Sequence, residues 1–249
     1  METNRIAGGV LPAVAFLIAA TASAQTDVPL GTLLRTEQGL MSRVGERSDD
    51  PEMRRQMAVL RARIAAAKQR EGDKDGAIDY LYNSLQLDPN HPDLWERLGD
   101  LANFIGHPSS DYIVQYAYEE ALKRDPDRLP ARAKLAAAYL SSDRFLRAME
   151  EFETVVRQSP QPNWDHIGLL ASVYAMVEEI PRGVEFFGGL AGERRRNEFQ
   201  VAGAILEHAA GRDDSARSLL RRVIETEEAQ SELAVMAIKL DRQYEQRAK

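Results

Sequence analysis

Gly72 to Gly99 reads GDKDGAIDYLYNSLQLDPNHPDLWERLG, and its punctuation decides the fold. Gly72-Asp73 is a turn signal; Ala77, Leu81 and Leu85 then recur every four residues, the spacing that holds side chains on one face of an α-helix. Asp88-Pro89-Asn90 ends that helix, because proline lacks the N–H the ladder needs and pushes the preceding residue out of helical geometry. Leu94, Trp95 and Leu98 begin another helix. The stretch is therefore the second half of one helix hairpin and the opening of the next, and it predicts that the pattern recurs.

From Pro51 onward it does. The small residue opening each second helix recurs as Ala77, Val114, Ala148, Gly183 and Ala216, at intervals of 37, 34, 35 and 33 residues. Four residues later stand Leu81, Tyr118, Phe152, Phe187 and Leu220, and three beyond those Ser84, Ala121, Val155, Leu190 and Val223. Asp88-Pro89, Asp125-Pro126 and Ser159-Pro160 mark helix ends. Two short helices cannot bury their apolar faces against each other alone, so each hairpin must stack on its neighbour. Small residues such as Ala77, Gly99, Ala121 and Ala148 let backbones approach, and Tyr118, Phe152 and Phe187 fill the volume beside them.

These residues resemble the tetratricopeptide repeat (TPR) family. Trp95, Leu98-Gly99, Ala121 and Pro126 match its pattern in one unit; Leu135-Ala136, Tyr139, Ala148, Phe152 and Pro160 match in the next. The resemblance implies an all-α, right-handed TPR superhelix (α-solenoid) of about five helix-turn-helix units, near 58–91, 92–128, 129–162, 164–196 and 197–230. A lead-in or short capping helix is expected over 25–50, from Leu33, Leu34, Leu40, Met41 and Val44. A capping helix is expected over 231–249, where Leu233, Met236, Ala237, Leu240 and Tyr244 share a face. Two departures stand out: three extra residues in the turn between Gly106 and Val114, and in the fourth unit Arg195 at the place of a proline, with Pro181 entering the turn.

Composition narrows the function. The chain is 44% hydrophobic and 29% charged with a net charge of −7, which argues against non-specific nucleic-acid binding, a task that needs a basic face. It has no cysteine, so disulfides, thiolate metal sites and a lipidated N-terminal cysteine are excluded. Arg5, the uncharged run Ile6–Ala20 and Ala22-Ser23-Ala24 form a signal-peptide pattern over 1–24, so export to a bacterial periplasm with cleavage before Gln25 is expected. An uncleaved anchor facing the periplasm is the alternative, against which Pro12 and the short apolar run count.

No catalytic set is legible. His91, His107, His166 and His208 form no HExxH or other close ligand pair, and no metal or cofactor is expected. Gly188-Gly189 with Gly192 reads as a frayed helix end rather than a cofactor loop, and Arg194-Arg195-Arg196 as solvated arginines after a helix.

What the resemblance implies instead is a concave groove lined by the first helix of each unit, able to hold a peptide or helix of a protein partner. Transferred residue by residue, that groove carries Arg63, Arg70, Glu96, Arg97, Asp100, Asn103, Phe104, Lys134, Leu140, Met176 and His208. Ala62 and Ala66 stand where the family's clamp for chaperone C-termini has Lys and Asn, so that clamp is not supported. A merely solvated inner face is the competing reading of the same residues. The expected role is an envelope scaffold or assembly adaptor that is not an enzyme. Self-association through the convex face or terminal helix, as a homo-oligomer or permanent subunit, is the alternative; proximity to the membrane fits both.

Overall fold

The computed structural model describes residues 28–44, 49–105, 110–194 and 196–247. The expected leader, His107 with the rest of the turn at 106–109, and Arg195 lie outside the described residues. Among the described residues there are twelve α-helices and no strand. The chain divides into two compact units, one ending at Pro126 and one beginning at Asp127.

The first unit holds α1 (Leu30–Val44), α2 (Pro51–Arg70), α3 (Lys74–Leu87), α4 (Pro92–Ile105) and α5 (Ser110–Arg124). Helices α2 with α3, and α4 with α5, are hairpins, and α3 also packs on α4. Asp50 starts α2 by accepting the Glu52 N–H at 2.9 Å, with Pro51 at the first helical position, where its missing N–H has no ladder partner to lose. Helix α1 lays Leu33 and Leu40 on Met57, Leu60 and Ile64 of α2. Glu37 of α1 is buried there too, accepting from Arg61 Nε at 2.9 Å and Tyr80 Oη at 3.0 Å.

The second unit holds α6 (Leu129–Ser141), α7 (Phe145–Gln158), α8 (Trp164–Met176), α9 (Ile180–Arg194), α10 (Asn197–Ala209), α11 (Asp213–Thr226) and α12 (Glu232–Arg247). Helix α10 packs on α8, α9, α11 and α12. Ala237 and Tyr244 of α12 join Val201, Ala204, Ala216, Leu220 and Val223 in one buried cluster, so the terminal helix covers the last hairpin.

The register of the second helices is uniform. Ala77, Ala148, Gly183 and Ala216 are each the fourth residue of their helix, and Val114 is the fifth of α5. All five are buried, as are the five large residues one turn later. The insertion before Val114 is therefore partly helical, because α5 begins at Ser110. Pro181 is likewise the second residue of α9 rather than part of a turn, a position that suits its fixed φ.

Four hairpin turns share one geometry. Gly72 (φ +86°), Asp143 (+57°), Glu178 (+61°) and Gly211 (+74°) occupy the left-handed region. The next N–H reaches back to the helix in each: Asp73 to Lys68 O at 2.9 Å, Arg144 to Tyr139 O at 2.8 Å, Glu179 to Tyr174 O and Arg212 to Glu207 O at 2.9 Å. These bonds satisfy carbonyls that the helix end would leave unpaired. Close approach within the hairpins is set by glycine: a Cβ at Gly99 would lie 2.6 Å from the Tyr118 ring, and one at Gly183 2.7 Å from the Tyr174 ring.

Candidate functional site

In the first unit the candidate residues sit on α2 and α4, the first helices of the two hairpins. Arg97 of α4 reaches α2, donating to Gln69 Oε1 from Nη2 at 2.6 Å and from Nε at 3.3 Å. Burial, then the neighbouring Arg70 guanidinium, pulls Arg97 below the ordinary guanidinium value. Its hydrogen-bond acceptor is thus neutral and its charged neighbour has the same sign. Arg63 is half-buried two turns earlier on α2.

The remaining candidates on α4 divide by environment. Glu96 is buried. Asp100 accepts the Tyr118 hydroxyl at 2.8 Å, and burial followed by that hydrogen bond raises the Tyr118 hydroxyl well above its usual range. Asp100 is thereby occupied in holding α5 on α4. Asn103 and Phe104 are exposed, and the Lys74 ammonium lies 3.7 Å from the centre of the Phe104 ring. Arg97, Arg70 and Asn103 are then the polar groups presented here, with Phe104 as the apolar one.

In the second unit Lys134 and Leu140 are half-buried on α6. Met176 is 59% exposed at the end of α8, where it lines a depression of about 660 Å³ with Arg144 of the preceding hairpin turn and Phe145 and Leu146 at the start of α7. His208 is held by the cap: its ring stacks on Tyr244 of α12 at 3.7 Å between centroids, and its Nδ1 meets Asp213. A histidine covered by the terminal helix is a packing element, which the repeat alignment could not reveal because α12 lies outside the repeat.

Two sequence readings are corrected. Helix α9 runs unbroken through Gly188, Gly189 and Gly192 to Arg194, so these glycines are helix surface rather than a frayed end. Gly188 and Gly192 border a groove of about 720 Å³ among α9, α10 and α11, with Gly203, Ser218 and Arg222 on its other sides. Arg194 is not simply solvated: it donates to the carbonyls of Ser159, at 2.6 Å, and Arg157, satisfying the end of α7. Arg196 pairs with Glu198 at 2.6 Å. Among the described residues no group of His, Asp and Glu could hold a metal ion, and no helix is long and apolar enough to cross a membrane.

Residues 115–172 match the family model of the tetratricopeptide repeat. Over that stretch the chain carries the tetratricopeptide repeat, within an all-α repeat fold. The TPR fold is similar to the crystal structure of MamA, at 19% identity over 70% of this chain and 93% of that one, with a TM-score of 0.53. It is also similar to YrrB, described as a TPR protein with an unusual peptide-binding site, at 12% identity over 82% of this chain and 99% of that one, TM-score 0.50. A double mutant of MamA RS-1 gives 19% identity, 71% and 97% coverage and a TM-score of 0.50. At such identities the likeness is one of fold. No curated protein sequence matches this TPR chain.

Proposed function

We propose that this TPR protein is a non-enzymatic protein–protein interaction scaffold of the bacterial cell envelope, which takes a carboxylate-bearing segment of a partner on the first-helix face of α2 and α4 during assembly of an envelope complex. The observation that carries the reading is Arg97. A half-buried guanidinium hydrogen-bonded to an amide and placed beside a second arginine gains most from an incoming carboxylate, which can replace a neutral acceptor with a charge-assisted one. Asn103 and Phe104 supply an amide and a ring beside it, which suit an extended peptide or a helix. The peptide-binding site of YrrB, a protein of the same fold, is consistent with this choice.

Cross-linked pull-down from the native envelope fraction tests it. The chain from Gln25 onward should capture a partner that Arg97→Glu loses, with both proteins equally folded; identical partner sets would refute capture on this face. Export is part of the proposal, supported by the pattern over residues 1–24. N-terminal sequencing of the protein recovered from the periplasm should begin at Gln25, whereas an intact leader in the membrane fraction would establish the anchored form.

A further inference from the structure

The second helices of the first unit carry a feature that neither packing nor the first-helix face uses. Tyr112 is 75% exposed and Tyr82 is 47% exposed. Tyr112 lies nearly parallel to Tyr116, with centroids 6.0 Å apart and 9° between planes. Tyr116 in turn stands edge-on to the buried Trp95 at 5.6 Å, which fixes the pair to the core. Burial, then the charge of Glu120 and the hydroxyls of Tyr82 and Tyr112, raises the Tyr116 hydroxyl, and Tyr82 sits on α3, which packs on α4, the helix that carries Trp95. Three tyrosines from two helices thus form one aromatic surface.

The charges around this surface are unbalanced. Asp75 and Asp79 are exposed and lie on the same stripe of α3 as Tyr82, two turns and one turn before it. The nearby cations are already engaged: Lys123 and Arg124 bond Glu120, and Lys74 covers Phe104. What is offered to solvent is a set of π-faces beside carboxylates. A guanidinium is the group that both attract, because it stacks flat on a ring while donating to a carboxylate, and it loses less hydration than an ammonium in doing so.

We infer that Tyr82, Tyr112 and Tyr116, with Asp75 and Asp79, form a second docking surface of the protein, which takes an arginine-bearing segment of a partner protein. It uses α3 and α5 rather than α2 and α4, so it does not depend on the Arg97 reading, and the two surfaces would let one TPR chain hold two partners of opposite charge.

The test uses the chain from Gln25 onward and a fluorescein-labelled alternating Arg-Gly decapeptide, read by fluorescence anisotropy beside its Lys-Gly counterpart. The arginine peptide should bind more tightly than the lysine peptide. Tyr82→Ala and Tyr112→Ala should each weaken it by about threefold to thirtyfold, with far-ultraviolet circular dichroism unchanged because both rings are exposed. Asp75→Asn/Asp79→Asn should weaken binding and flatten its dependence on salt. Arg97→Glu should not weaken it. No binding, binding indifferent to the tyrosine substitutions, or a Tyr112-dependent response to a soluble peptidoglycan fragment but not to the arginine peptide would overturn the proposal.

Discussion

Arg97 of α4 donates from both Nη2 and Nε to the side-chain oxygen of Gln69 on α2, at 2.6 and 3.3 Å, and so meets an uncharged acceptor while Arg70 stands alongside. A carboxylate at position 69 would serve the guanidinium better. Gln69→Glu is therefore expected to leave stability unchanged or raise it by at most about 1 kcal/mol, the range of a partly exposed ion pair, as read from urea unfolding. A marked loss of stability would mean that Arg97 already has its charge satisfied.

Gly99 lets the α4 backbone approach Tyr118, since a Cβ there would lie 2.6 Å from the ring. Gly99→Ala must displace that buried ring and with it the hydrogen bond to Asp100, at a cost of about 1–3 kcal/mol despite the better helix propensity of alanine. Thermal or urea unfolding reads this directly. Gly203→Ala is the control, because its Cβ would meet Leu219 at an ordinary 3.7 Å.

Glu178 holds the left-handed turn position that glycine holds at Gly72 and Gly211. Left-handed geometry costs a non-glycine residue about 1–2 kcal/mol, of which the extra freedom of glycine in the unfolded chain returns about half. Glu178→Gly is expected to stabilise the protein by about 0.5–1 kcal/mol. Differential scanning calorimetry should show a higher Tm; a lower one would contradict the turn assignment.

The hydrogen bond from Arg196, at 2.6 Å, holds the Glu198 carboxyl below its ordinary value of 4.5. A carboxyl whose folded value is depressed stabilises the protein above its unfolded value and loses that contribution as pH falls through the folded one. Stability should thus decline on acidification below the ordinary carboxylate range, and Glu198→Gln should shallow that decline. Tm measured against pH in both proteins checks it.

The repeats were legible because each hairpin must bury the same three positions of its second helix. Ala77, Leu81 and Ser84 recur as Ala148, Phe152 and Val155, and both triplets are buried. Turn placement was less so: a proline such as Pro181 punctuates equally well just before a helix and just inside one, and only the backbone distinguishes them. The candidate face was legible as a list and not as chemistry. Asp100 and Arg97 are three residues apart on one helix, yet Asp100 answers Tyr118 and Arg97 answers Gln69, partners 18 and 28 residues away in sequence. His208 and Glu37 are illegible for the same reason, since Tyr244 of α12 and Arg61 of α2 reach them from other elements. The exposed tyrosines carried no periodic signal, because periodicity reports what is buried.

The central claim is that Arg97 receives a partner's carboxylate, and Gln69→Glu tests it most directly because it fills that role from within while keeping the fold. In a quantitative cross-linked pull-down from the native envelope, the variant should lose the partner that the parent captures, with an unchanged or higher midpoint of unfolding. Capture of the same partner in the same yield by Gln69→Glu would contradict the account.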